Sequence, residues 1–566
     1  MNKVTKRMGN MVFVLFGISI VLRFLLANFY PRTINCYPDE FLYLSLGESI
    51  WNNHQLMTYN LPTYFNKIGY SLFLAPAFAI TDIKLRGVCI AFVNAVLVSL
   101  GVFPVYGLAK SLLRNPKLII LSVVLYMISP TLTYSMTYMS EVLYTPLALM
   151  LIYVIYSFFR EKEVKKKSIL LALACLIWVL AFLTKSQAVI FPVAFLLCCL
   201  ITLLRKEKTK NVRGFWGIIL LFLVLAVVGA YLMTHINSQY YQLGIDVNIL
   251  KQKGTYIAFG SLFYLLMIAV AFCVIPMVLP GVEYRKLNSD AKNLYRFLIS
   301  LILVTVIVVS YMIMAVEDYP SMTPRAHIRY VEYAFVPFVI VLFHLMEQKE
   351  SLKRGWRLIA PMIVFSVLLL ITVRGFAGQT IDQTMLFYWQ VFAENGSVIA
   401  PGIARLISGV LSVVAVVFVA LYGKNKAAFA KWFAAFLICM CIGNSALSVY
   451  VQYKTHTHSE EEMAEMEQMR EFVISHASEG FLVLEPVGQD ELLDTYLIDC
   501  ENVRTGLQPD RTNIQSRYEM PSDVCYIIVH NVSYCLGQGA EVVQEYPNMG
   551  YTLYQVTGTL PEITSL

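Results

Sequence analysis

Charge is the scarcest ingredient of this chain. Asp, Glu, Lys and Arg make up only 14% of its 566 residues, against 58% hydrophobic ones, whereas a water-soluble globule usually carries about a quarter charged residues. With a mean hydropathy of +0.63, the composition excludes a soluble globule and predicts a polytopic membrane protein. A Gly-rich phosphate loop, a long low-complexity segment and an internal repeat are also missing. The eleven cysteines show no metal-ligand spacing, and Cys175, Cys198, Cys199, Cys273, Cys439 and Cys441 lie in apolar runs, where Cys behaves as a small hydrophobe. The net charge of +7 is unevenly spread: residues 455–566 hold 4 Lys/Arg and 19 Asp/Glu, which leaves 40 basic and 18 acidic residues before them. That basic excess belongs to membrane loops and argues against a nucleic-acid partner.

A spanning helix needs about 20 mostly apolar residues. Thirteen stretches qualify: residues 11–30, 88–112, 118–132, 142–159, 169–184, 188–204, 215–233, 256–279, 297–315, 331–345, 358–373, 403–422 and 432–450. The first follows a basic N-terminus with no small-residue cleavage site and reads as an uncleaved helix. Placing the N-terminus in the cytoplasm puts 27 of the 44 Lys and Arg residues into short loops on that side, as the positive-inside rule requires. An odd number of spans then leaves the C-terminal tail external. The expected division is a membrane domain over residues 1–454 and a small soluble external domain over residues 455–566. Within the first, the long external loop 31–87 reads as two short interfacial helices, 38–53 and 66–79. The tail opens with an amphipathic helix at 459–476, and Phe481-Leu-Val-Leu, Cys525-Tyr-Ile-Ile-Val and Tyr551-Thr-Leu-Tyr-Gln-Val read as strands, giving an α/β fold.

Several polar residues need an explanation in such a chain. Pro38-Asp39-Glu40 follows the first span, where Pro and acidic residues suit a helix start and its dipole. Adjacent helical side chains diverge by roughly 100°, so at most one of Asp39 and Glu40 serves as a base facing a substrate. Charges in or beside apolar spans cost on the order of 3 kcal/mol by insertion scales. Arg23, Glu141, Lys185, Arg325 and Arg329 are such charges, and all fall in the external half. Snorkelling to the interface is the plain reading, above all for Arg23 and Lys185. The sharper one is that cations from separate helices hold a phosphate at headgroup level while a carboxylate handles a proton. Tyr37, Tyr43, Tyr59, Tyr64 and Tyr70 crowd the first loop as an aromatic belt or as stacking surfaces for a sugar ring. His327 reads as an interface residue. Cys36, Cys500, Cys525 and Cys535 are external without a pairing set by spacing. Asn395-Gly-Ser and Asn531-Val-Ser match the glycan acceptor pattern.

Four short motifs in this order carry a family resemblance. Tyr37-Pro-Asp-Glu-Phe-Leu-Tyr43 in the first loop, Ser140-Glu-Val-Leu-Tyr-Thr-Pro146, Leu183-Thr-Lys-Ser-Gln187 and His327-Ile-Arg-Tyr330 resemble the GT-C superfamily of membrane glycosyltransferases. They are most similar to the branch containing protein O-mannosyltransferases and aminoarabinose transferases. The resemblance spans roughly residues 10–345. It implies a GT-C-like all-α polytopic fold and transfer of a sugar from a polyprenyl-phosphate donor to an acceptor on the external face of the plasma membrane. By the same resemblance Asp39 is the general base and Glu40 a supporting or alternative acid. Lys185 and Arg329 would contact the donor phosphate, and Glu141, Tyr330, Tyr43 and Arg325 complete the substrate-binding candidates. No cofactor is implied: some relatives bind a divalent cation, but this branch generally needs none. The tail differs from the sugar-binding modules of protein mannosyltransferases, so a glycolipid, a cell-wall polysaccharide and a protein all stay open as acceptors. The competing reading is a transporter or flippase of lipid-linked saccharides, which would set its charges near the bilayer midplane between paired broken helices.

Overall fold

The runs of apolar residues become helices, and the few breakers decide where each one stops. The structure, a computed structural model, describes residues 3–28, 38–58, 61–62, 67–204, 247–316, 328–348, 400–456, 459–484, 493, 496–500, 502–505, 523–531, 534–536, 538–557 and 563–565, with a few isolated positions between 360 and 385. Among the described residues seven helices are long and apolar enough to cross a membrane, or eight if one bent pair counts as a span. The expected spans at 215–233 and, for the most part, 358–373 lie outside the described residues.

Contacts divide the chain into two units. One comprises Met1–Arg23, Ala95–Ser135 and Glu141–Val451, and the other Phe24–Asn94, Met136–Ser140 and Gln452–Leu566. The sequence suggests one boundary near residue 454, whereas contacts group the tail with the first loop and with five residues ahead of Glu141.

In the first unit Glu141–Arg160 packs along Val164–Thr184, and Ser289–Val316 packs between Ile190–Leu204 and Val247–Ala271. Two expected spans are broken for visible reasons. Pro130 forces Ser129 into an extended conformation, so Pro116–Ile128 bends by 43° into the 3-10 turn Pro130–Met136. Residues 256–279 break after Ala271, where Cys273 and Val274 take φ of +55° and +58°. The left-handed region is costly for a β-branched side chain, and a new helix, Ile275–Val282, starts beyond it. Gly101 sits between Ile83–Ser99 and Val102–Leu112, and a Cβ there would lie 2.2 Å from the Tyr126 hydroxyl. The missing side chain lets that ring reach in and donate to Val98 O.

The second unit holds the helix Pro38–Asn52, the helix Ile68–Leu74 and the 3-10 turn Ala75–Ala79, close to the two interfacial helices expected from sequence. A two-stranded ribbon, β1 (Met57–Thr58) and β2 (Leu61–Pro62), lies between them. The tail begins with Glu460–Ser475, started by a capping box between Ser459 and Glu462. Its strands are β3 (Gly480–Leu484), β4 (Val503–Thr505), β5 (Val524–His530), β6 (Tyr534–Leu536), β7 (Ala540–Tyr546), β8 (Tyr551–Val556) and β9 (Ile563–Ser565). Five form one sheet in the order β4-β3-β5-β8-β7, with β3, β4 and β5 parallel and β8 and β7 antiparallel. Alternation along the strands gives the sheet two apolar faces. Phe481, Val483, Tyr526 and Ile528 pack with Met469 and Val473 of the helix, while Leu482, Leu484, Ile527 and Val529 form a second cluster. Gly550 supplies φ +72° at the β7–β8 turn, and the Glu465 carboxylate accepts from Asn548 N, Asn548 Nδ2 and Met549 N beside it.

The tail and the first loop meet within this unit at the start of Ile83–Ser99. Arg86 donates to Asp499 at 3.0 Å, Arg470 grips the same carboxylate through Nη1 and Nη2, and Lys84 pairs with Glu467 at 2.8 Å. Leu44, Phe78, Ile90, Tyr138 and Ile498 line a small recess next to Arg86. Cys500 and Cys525 carry free thiols.

Candidate active site

Lys185 owes its position to a helix end. The helix Val164–Thr184 stops at Thr184, and Lys185 is extended (φ −154°, ψ 121°) before the 3-10 turn Ser186–Val189. The turn is tied down by Trp178 Nε1 donating to Ala188 O at 2.9 Å. With the backbone so fixed, the ammonium of Lys185 lies on the carboxylate of Glu141, in a short hydrogen-bonded ion pair. Glu141 is the first residue of its helix, where a carboxylate also suits the dipole. Arg329, in the 3-10 turn Ile328–Tyr330, places Nε 3.5 Å from the same carboxylate oxygen. Tyr330 is the floor of the group: Lys185 Nζ stands 4.6 Å from its ring centroid and Arg329 Cζ 5.5 Å, both within cation–π range. Gln187 Nε2 donates to Tyr330 O at 2.6 Å, so the Lys185 turn and the Tyr330 turn are stitched together.

The electrostatics follow from burial. The Glu141 and Lys185 side chains are 4% and 11% exposed and that of Arg329 is 21% exposed. Such an ion pair costs desolvation that only close geometry and further polar contacts repay. Among these three side chains two positive charges face one negative charge. Tyr144 and Tyr333 pack edge to face alongside, with centroids 5.8 Å apart.

In the second unit Glu40 is buried in the first turn of Pro38–Asn52, and its Oε1 accepts the Tyr138 N–H at 2.8 Å. Asn94 Nδ2 donates to Thr137 O at 2.9 Å, and the Tyr70 hydroxyl donates to Asn94 Oδ1 at 2.8 Å. Tyr43 is buried against Tyr70, with ring centroids 5.5 Å apart, and its carbonyl accepts from Ser71 Oγ.

The structure thus brings together Glu141, Lys185, Arg329 and Tyr330 from three distant stretches. Glu40 and Tyr43 lie in the second unit, Glu40 on the Tyr138 N–H and Tyr43 against Tyr70. Asp39 lies in the helix Pro38–Asn52, but its side chain, like Arg325 and His327, lies outside the described residues. Arg23 does not snorkel: it is fully buried, donates to Thr131 O, Thr131 Oγ1 and Ser19 Oγ, and lies over the Tyr126 ring. Sequence reasoning passed over Gln187, although it closes the Lys185 motif, and Asn94, a lone amide in the apolar run 88–99 whose cost of burial was a usable signal. Among the described residues no three His, Cys, Asp or Glu side chains gather closely enough to hold a metal ion.

The long apolar helices make this a polytopic membrane protein, and its fold is of the GT-C type seen in ArnT. A sequence profile of the family Dolichyl-phosphate-mannose-protein mannosyltransferase matches residues 68–231. Among solved structures, ArnT from Cupriavidus metallidurans in the apo state is similar at 12% identity and a TM-score of 0.50, covering 98% of this chain and 99% of that one. ArnT bound to undecaprenyl phosphate is similar at 11% identity and a TM-score of 0.55, covering 97% and 99%. Among curated proteins none is significantly similar in sequence. The chain therefore shares its fold with ArnT, and it resembles the branch of GT-C proteins to which its short motifs point.

Proposed function

We propose that this chain is an integral-membrane glycosyltransferase that moves a sugar from a polyprenyl-phosphate donor to an acceptor hydroxyl or amine. The reaction is placed on the external face of the plasma membrane, with the N-terminus cytoplasmic and the tail external. The observation that carries the proposal is the convergence of Lys185 and Arg329 on Glu141 with Tyr330 beneath them. It is a preorganised cationic group of the kind that stabilises a departing phosphate. The mannosyltransferase profile over residues 68–231 and the undecaprenyl phosphate bound to ArnT support the donor class.

In the proposed reaction the acceptor proton passes to the Asp39 carboxylate as the acceptor atom bonds to the anomeric carbon. The bond from that carbon to the phosphate oxygen breaks with its electron pair leaving on the phosphate, and Lys185 and Arg329 balance the charge that develops there. A single displacement of this kind inverts the anomeric centre. A glycolipid, a cell-wall polysaccharide and a protein are the acceptor classes to be tried.

The test is to incubate membranes containing the full chain with a panel of polyprenyl-phosphate sugars and to identify glycosylated products by mass spectrometry. Asp39→Asn is expected to lower transfer by about 10²–10⁴-fold, the usual contribution of a general base, with expression and thermal stability unchanged. Near-wild-type transfer by that variant sinks the assignment of Asp39. Release of free polyprenyl phosphate in step with product separates transfer from flipping, which moves the lipid-linked sugar intact.

A further inference from the structure

The peptide group between Thr137 and Tyr138 is held from both ends. Its carbonyl accepts from Asn94 Nδ2 at 2.9 Å and its N–H donates to Glu40 Oε1 at 2.8 Å. This peptide lies outside regular structure, after the 3-10 turn Pro130–Met136 and before the helix that starts at Glu141. Buried backbone polar groups need hydrogen-bond partners, and Asn94 and Glu40 supply them here. Glu40, Tyr70, Asn94, Thr137 and Tyr138 are all at most 6% exposed.

The orientation of Asn94 follows by elimination. Thr137 O can only accept, so the amide NH₂ must face it, Oδ1 must face Tyr70, and the Tyr70 hydroxyl at 2.8 Å must donate. Three elements thus converge on one peptide: Pro38–Asn52 through Glu40, Ile83–Ser99 through Asn94, and Ile68–Leu74 through Tyr70 behind Asn94.

We propose that Glu40 and Asn94 are positioning residues that clamp the Thr137–Tyr138 peptide and thereby fix the helix bearing Asp39 to the segment leading into Glu141. The role asks Glu40 for an acceptor oxygen and not for an exchangeable proton, which a carboxamide oxygen supplies equally well. It divides the two adjacent acids: Glu40 holds the frame, and Asp39 keeps the role of base proposed above. The kinetic part rests on the transfer reaction proposed above, and the structural part does not.

The experiment compares Glu40→Gln with Glu40→Ala in the full-length protein, with Asn94→Asp and Tyr70→Phe beside them. Glu40→Gln keeps an acceptor for Tyr138 N–H and is expected to stay within about threefold of wild type, with the same pH–rate profile. Glu40→Ala and Asn94→Asp, which lose the acceptor and the donor respectively, are expected to lose about 10²-fold in kcat, the scale of a misplacement of about 1 Å. Their KM for the lipid-linked donor is expected to hold. Tyr70→Phe loses less, because it only frees the Asn94 amide to turn. Hydrogen exchange at the Tyr138 amide is the readout independent of activity: at least tenfold faster in Glu40→Ala and unchanged in Glu40→Gln.

Transfer by Glu40→Gln as low as by Glu40→Ala, or a shifted pH limb in Glu40→Gln, makes Glu40 a proton carrier and overturns the proposal. Unaltered Tyr138 exchange in Glu40→Ala overturns the clamp whatever the activity. If Glu40→Ala fails to fold, Glu40→Asp, whose shorter side chain withdraws the acceptor from Tyr138 N–H, decides through the same measurement: Tyr138 exchange as slow as in wild type overturns the clamp. Should the wild type transfer no lipid-linked sugar, the proposed function fails, while the exchange data still decide the clamp.

Discussion

At the scale of single residues the decisive fact is that one carboxylate, Glu141, holds two cations. Removing a partner from a buried pair costs far more than the pair itself contributes, because the remaining charge is stranded. Glu141→Gln is therefore expected to destabilise the protein by about 3 kcal/mol, seen as a lower unfolding temperature in detergent. Glu141→Asp, which keeps the charge, should recover most of that loss. An unfolding temperature for Glu141→Gln equal to wild type would show that the Lys185–Glu141–Arg329 contact carries no stability. The sequence flagged all three residues, since charge beside an apolar run has few explanations. Their shared partner was invisible, because residues 141, 185 and 329 meet only through the packing of a helix start, a helix end and a 3-10 turn. Arg23 went the other way: its position late in a span suited snorkelling, and only the fold reveals Thr131 and Ser19 as internal acceptors.

At the scale of elements the sequence was most informative where periodicity was clean. The strands β3, β5 and β8 alternate apolar residues over two covered faces, and the tail helix announces itself by Ser459 and Glu462. The strand β7 went unread because it is an edge: Glu541, Val542 and Val543 are all exposed, and the register slips between Val542 and Gln544, which erases the period of two. The strand β4, with three residues, is too short to show one. The junction of tail and loop makes a pH prediction. Burial pushes the Asp499 carboxyl up, but the hydrogen bond and charge of Arg470, then Arg86, outweigh it and hold it below its ordinary value of 3.8. A carboxylate lowered on folding stabilises the fold above its unfolded value and loses that contribution as the pH falls through its folded value. Burial lowers His530 below 6.5, and the sign is the same: its contribution is present above pH 6.5 and lost on acidification. Both groups therefore make the second unit weaken in acid, beginning near pH 6.5 with His530 and deepening below about pH 4 with Asp499. Asp499→Asn is expected to flatten the lower part of that profile, measured as unfolding temperature against pH. An unchanged acid limb in that variant would show that the Arg86–Asp499–Arg470 contact is not coupled to folding.

At the scale of the whole molecule, seven of the thirteen expected spans, or eight with the bent pair, are met among the described residues, because bilayer thickness fixes their length, while the breaks at Ser129-Pro130 and at Cys273-Val274 were not legible, since both are local backbone events inside apolar runs. The grouping of units was the least legible feature of all. The sequence marks residues 455–566 off by their acidic charge, and within the second unit Arg86, Lys84 and Ile83 join that tail to the first loop through Asp499, Glu467, Met466 and Tyr496. Deleting residues 456–566 is accordingly expected to expose the segment 38–79 to protease in intact membranes, with the membrane unit still inserted. A loop as resistant as in the full chain would show that it is stable without the tail. The same arrangement sets an order of assembly. The acid-bearing helix is made early, yet the residues that complete its unit are made some four hundred positions later. At ~5–20 residues per second the loop waits tens of seconds while every intervening span is threaded into the bilayer. Until the tail emerges the second unit is incomplete, so a chain stalled during synthesis carries the first loop without the contacts that Asp499 and Glu467 make to Arg86 and Lys84.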